Sequence, residues 1–165
     1  MAFNSKGGVN AIFFVVVIVI LLMAWGTMTL LSNFALKEVN QAFQEDSNAD
    51  EYAKQNLQDT TTNYPKTMDS AYLVIFILGW VGLIIGSLNA LEHPIFFIIA
   101  LVFIACLLFI GAVLSNFYEE LASSEDLISS AADFPVTYFI NSKLPLMILA
   151  IVGSIIITMY ARERI

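Results

Sequence analysis

Four apolar stretches, residues 11–31, 71–91, 94–118 and 144–161, carry no Asp, Glu, Lys or Arg. Each reaches the length of about 18–20 residues that a helix needs to cross a bilayer. The pattern therefore predicts an all-α membrane protein with four transmembrane helices. Only Glu92 and His93 separate the second stretch from the third, which leaves room for a tight turn between antiparallel helices. Pro94 suits the first turn of the helix that follows, where its missing N–H costs nothing. The first stretch is longer than the apolar core of a signal peptide and lacks a small-x-small cleavage site, so it reads as a retained helix.

The apolar spacing also predicts how far the helices run. After Phe34, the positions Leu36, Val39 and Phe43 continue a helical stripe to about Gln44. The first helix would then be roughly 50 Å long, against about 30 Å of hydrocarbon. The third is expected to reach about Leu121. Asp133 before Phe134-Pro135 resembles a helix start, and Pro145 is expected to kink a long fourth helix.

The two halves of the chain are similar. Residues 13–34 and 96–117 both begin Phe-Phe and both end Leu-Ser-Asn-Phe at the same ungapped distance. Tyr64-Pro65-Lys66-Thr67 precedes the second stretch and Phe134-Pro135-Val136-Thr137 the fourth, and Val81-Gly82-Leu83-Ile84-Ile85 matches Val152-Gly153-Ser154-Ile155-Ile156. Apolar helices share a small alphabet, so Phe-Phe and Ile-Ile alone would mean nothing. The in-register tetrapeptide and the Pro-x-Thr favour duplication of a helical hairpin. The expected units are 1–92, with an acidic loop over 36–70, and 93–165, with an acidic loop over 119–143. A two-span repeat keeps its orientation, which puts a pseudo-twofold axis along the membrane normal.

Composition and charge narrow the class. The 165 residues are 59% hydrophobic and 13% charged, whereas a soluble domain has about 45–50% and 25%. That excludes a soluble domain and a disordered chain. Seven basic residues against fourteen acidic give a net charge of −7, which argues against direct nucleic-acid binding. The carboxylates fall mostly in the two loops, whereas Lys6, Arg162 and Arg164 lie near the termini, so both termini are expected on the cytoplasmic side of the producing cell.

Candidate chemistry is sparse. Gly79, Gly82, Gly86 and Ala90, with Gly153 in the other half, form small-residue positions suited to close helix packing in lipid. Ser32-Asn33 and Ser115-Asn116 sit at the outer ends of equivalent helices, where buried amides would bond across the repeat interface or face headgroups. Asp46-Ser47-Asn48-Ala49-Asp50 opens like a calcium loop, but Glu51 and Leu57 stand where glycine and glutamate belong. A solvated turn, with Asp50 capping a short helix from Glu51, is the better reading. His93 reads as a turn residue and Cys106 as a small buried hydrophobe; one of each cannot build a histidine/cysteine metal cluster. No metal or cofactor is expected. The spans hold no central ionisable group of the kind that marks ion pathways. No phosphate loop, serine elbow or HExxH occurs either, so the expectation is no enzyme.

The stretches His93-Pro94-Ile95-Phe96-Phe97, Leu114-Ser115-Asn116-Phe117-Tyr118-Glu119-Glu120, Phe134-Pro135 and Asn141-Ser142-Lys143-Leu144-Pro145 resemble small membrane proteins of tailless icosahedral viruses with a membrane beneath the capsid, the corticovirus or tectivirus-like phages. The resemblance covers residues 93–161. It implies a structural role: many copies packed in the virion membrane, touching other membrane proteins and capsid proteins, with no catalytic residues to carry over. Two alternatives remain. One is an oligomeric channel or holin-like pore lined by Thr27, Thr29, Ser87, Ser154 and Thr158; the other is an accessory subunit of a larger membrane complex.

Overall fold

A computed structural model describes residues 6–87 and 94–162. Among these residues there are helices and turns and no strand. The helices are α1 (Lys6–Glu45), α2 (Glu51–Ser87), α3 (Pro94–Ala122), α4 (Ile128–Ala131), α5 (Pro135–Ser142) and α6 (Leu144–Arg162). Three are long and apolar enough to cross a membrane, and there are up to four spans if α5 and α6 are one broken span. Lipid offers backbone groups no partners, so an apolar chain satisfies them within its own helices.

The first half is a long antiparallel hairpin. α1 has 40 residues and α2 has 37, so each outruns the roughly 30 Å of hydrocarbon by well over 15 Å. The acidic loop expected over 36–70 is corrected: only residues 46–50 leave the helices. That turn is closed by the Asn48 N–H donating to Asp46 Oδ1 at 2.9 Å. Lys54 Nζ donates to the Gln44 carbonyl and Gln44 Nε2 to the Lys54 carbonyl, both at 3.2 Å. The helix from Glu51 is not short either. It runs to Ser87 straight through Pro65, although Pro65 removes one backbone bond. Thr60, Thr61, Thr62 and Thr67 turn their hydroxyls back onto carbonyls four residues earlier. These polar side chains are thereby satisfied without leaving the helix.

The second half is built differently. α3 ends at Ala122, close to the expected Leu121. Pro135 then opens α5 in its first turn, and α5 meets α6 at a bend of 77°. The expected kink in one long helix is therefore a break. Pro145 has no N–H to continue the backbone bonding of α5, and the chain turns at Lys143, with φ −114 and ψ 28. Tyr64-Pro65 and Phe134-Pro135, alike in sequence, thus take different forms.

The long helices form a ring in which α1 packs on α2 and α3, and α6 on the same two. α5 touches all four and lies across the end of the bundle from which α1 and α2 project. The core beneath it is apolar: Val15, Val19, Leu22, Leu30, Leu83, Leu107, Leu144, Ile148 and Ile151. Leu30 and Ile148 are fully buried, so side chains close the centre of the bundle. Ile20, Met28, Leu78, Phe109 and Ile157 point outward, which suits a lipid solvent. An open groove of about 440 Å³ on this surface, between α1 and α3, is lined by Met23, Met28, Leu31, Leu114 and Phe117, and Thr27 is its only polar lining residue.

Close approach falls on glycines other than those singled out above. A Cβ on Gly82 or Gly153 would have no neighbour within 4 Å, and one on Gly79 would make ordinary contact with Ile18. Packing through Gly82 or Gly153 would have to be between chains. Ala90 and His93 lie outside the described residues. Gly26 and Gly111 are the tight positions: their Cβ would come 2.0 Å from Asn141 Nδ2 and 2.6 Å from Ile148 Cδ1. The Ile148 methyl is a flexible side-chain end, whereas Asn141 is held by a hydrogen bond. Gly26→Ala is therefore expected to destabilise the chain by about 1–3 kcal/mol, with Gly111→Ala milder and Gly82→Ala neutral or stabilising. Thermal unfolding of the three variants in detergent checks the order.

Candidate functional site

The most organised polar region surrounds α5, whose sequence dictates why. Thr137, Ile140 and Asn141 recur at helical spacing and are buried, as is Ser142 at the end, whereas Tyr138 and Phe139 face out. A helix start leaves N–H groups without partners, and the residue before α5, Phe134, has no side chain to cap them. The cap comes from another helix. Asp69 of α2 is buried, and its Oδ1 accepts the Thr137 N–H and hydroxyl, both at 2.8 Å. Its Oδ2 accepts the Val136 N–H at 3.1 Å. A carboxylate at a helix N-terminus also meets the favourable end of the helix dipole. Phe134, itself buried, packs edge-on against Tyr64 at 6.4 Å.

One turn after Asp69, the buried Tyr72 hydroxyl donates to Asn141 Oδ1 at 2.6 Å. Asn141 packs its Nδ2 against α1 at Gly26, within reach of the Tyr118 hydroxyl of α3. The far end of α5 is held by Ser115, whose hydroxyl donates to the Ser142 carbonyl. Beside this collar a second knot ties α1 to the chain before α5. Asn33 Nδ2 donates to Asp133 Oδ2 at 2.9 Å; Lys37 Nζ reaches the same oxygen at 2.7 Å and the Ser129 carbonyl at 3.0 Å. Lys37 and Asp133 are about one-third exposed, so water screens their attraction. Lys143 and Glu119 pair at 3.2 Å on the surface.

Two of the four polar residues singled out at the repeat interface belong to these contacts. Asn33 and Ser115 are buried, but they bond to Asp133 and Ser142 and not to each other; Asn116 is exposed and Ser32 only partly covered. Matched positions thus do different jobs in the two halves. Asp133, read as the start of α5, pairs with Lys37, and Asp69 takes the capping role. The sequence reading missed Asp69, Tyr72, Tyr118, Thr137 and Asn141. A carboxylate two residues before an apolar span was a usable signal, as was the Thr137–Asn141 spacing.

The remaining candidates separate from this region. Cys106 is exposed on α3, correcting the expectation of burial; a small weakly polar side chain is as acceptable to lipid as to a core. Three of the hydroxyls considered for a pore are bonded within the chain. Thr29 donates to carbonyls of its own helix, Thr158 to Ser154, and Ser154 accepts the Trp80 Nε1–H at 2.9 Å while donating to Ile151. No group of three or more His, Cys, Asp or Glu able to hold a metal ion occurs among the described residues. No protein-family model matches the chain, and neither curated proteins nor solved structures give a match.

The collar generates a graded expectation. Asp69→Ala leaves two N–H groups and a hydroxyl without their acceptor and should cost about 2–3 kcal/mol, with Tyr72→Phe at about 1–2 kcal/mol. Lys37→Met, at a screened site, should cost no more than about 1 kcal/mol. Chemical unfolding of the four proteins in one detergent gives the ranking.

Proposed function

We propose that this chain is a structural protein of a membrane: a closed bundle of two helical hairpins that anchors a projecting, acidic outer end for contact with other proteins. The observation that carries the reading is the division of the molecule. Its bundle core is apolar and filled, its buried polar contacts gather at one end, and the α1–α2 hairpin continues past that end. A transport pathway would ask for ionisable groups or a polar lumen within the spans. Here, charge lies in the ends and connections instead.

Within this reading the two halves are a duplicated hairpin, supported by the Leu-Ser-Asn-Phe register and by the packing of α1 on α2 and of α3 on α6. The acidic caps are residues 36–70 and 119–143. The setting we infer, from the resemblance of residues 93–161, is the membrane of a lipid-containing virion. There the chain would be present in many copies beside capsid and other membrane proteins, with both termini on the cytoplasmic side of the producing cell. Neither a cofactor nor direct binding to nucleic acid enters this role.

The test is residue-level cross-linking in the native membrane or particle, with copy number measured alongside. Cross-links from Lys54 and Lys66 to other proteins, at many copies per particle, are the expected result. An isolated monomer with links only to itself would overturn the proposal. Purified chain in liposomes should carry no current; reproducible conductance would transfer the case to the pore reading.

A further inference from the structure

The outward face of α1 stays apolar after the helix has left the bilayer. Leu21, Trp25, Met28, Ser32, Ala35, Val39 and Ala42 follow one another at alternating steps of four and three residues. That is the seven-residue repeat by which one helix packs along another. Ser32 is partly covered, the other positions are exposed, and none is charged. The stripe faces away from the bundle, because Val19, Leu22, Leu30 and Asn33 bury the opposite side of α1. α2 behaves otherwise. Its exposed Val74, Leu78, Val81 and Ile85 share a face that continues outward as Ser70, Thr67 and Asn63, all exposed and polar. An apolar face that ends at the bilayer needs only lipid, whereas one that continues into water calls for a protein cover.

We propose that this stripe is the seam along which α1 of a second copy of the chain packs, parallel to the first; the inference rests on the reading of the chain as one that acts in contact with other proteins. Length selects the occupant. With the apolar stretch 11–31 in the hydrocarbon, Val39 lies about 12 Å beyond it and Ala42 about 16 Å. No acyl chain covers them there, and a water-soluble partner does not reach Leu21 or Trp25. The occupant is a helix that crosses the bilayer and continues past it with the same apolar spacing, which α1 of a second copy provides. A twofold axis along the membrane normal sets the same face of each copy against the other. Ser32, Ala35 and Ala42 are small enough to let the backbones approach. Charge placement agrees. Glu38 and Glu45 flank the stripe on one side, Leu36 and Phe43 on the other, so a parallel pair sets the carboxylates of one copy beside the apolar flank of its partner and not against each other.

Disulfide cross-linking of the full chain in lipid bilayers tests it, on a Cys106→Ala background that removes the exposed native thiol. Val39→Cys and Ala42→Cys should each give a covalent dimer under mild oxidant. Gln41→Cys, exposed at the same height but off the stripe, should give several-fold less. Val39→Glu supplies a second readout: single-molecule photobleaching should show the dimer fraction falling several-fold while helicity is unchanged. Equal cross-linking at Gln41, Val39 and Ala42, or a dimer fraction indifferent to Val39→Glu, would overturn the seam. Two further outcomes separate this inference from the structural role. Copies joined through α2 or α3 alone, or a monomer that cross-links only to other proteins, would overturn the seam and leave that role standing. A monomer with no links to any protein would overturn both.

Discussion

Asp69 and the start of α5 set the arrangement of the bundle end from which α1 and α2 project. An eight-residue helix has little stability of its own, because nucleation consumes most of what its few hydrogen bonds return. α5 therefore needs its first N–H groups satisfied from elsewhere, and a buried carboxylate on α2 does this with three hydrogen bonds. Once that end is fixed, helical spacing carries Asn141 to Tyr72 and onto α1 at Gly26. The break before Pro145 then aims α6 back between α2 and α3. Below this level, packing among apolar side chains is enough.

The long apolar helices were legible in the sequence because lipid imposes a simple rule: a span of sufficient length without charge. The overshoot of α1 was legible too, since Leu36, Val39 and Phe43 keep the helical period. The same logic failed over 51–70, where polar composition suggested a loop. There α2 gains stability from its partner α1 and satisfies its threonines on its own backbone, neither of which a hydropathy pattern records. Pro65 and Pro135 make the same point. Their local sequences are alike, yet one sits inside a helix and the other begins one, according to what packs around each.

The collar was less legible for a physical reason. Its pairs lie 67–69 residues apart in the case of Asp69 with α5 and Tyr72 with Asn141, and 100 residues apart for Asn33 with Asp133. No spacing rule links such positions; only the fold does. Burial of Asn33 and Ser115 was foreseeable from a polar residue at a span boundary, but their partners were not. Close approach within the chain was no more legible. Gly82 and Gly153 fit a packing motif, whereas the close approach is made at Gly26, whose neighbour belongs to a helix more than a hundred residues away.

Amide hydrogen exchange in the intact chain and in Asp69→Ala addresses the dependence on Asp69 most directly. If Asp69 fixes α5, its replacement should strip protection from Val136, Thr137 and the rest of α5 while leaving Leu22, Leu30 and Ile148 protected. Unchanged protection across α5, or an equal loss at Leu22 and Ile148, would contradict that dependence.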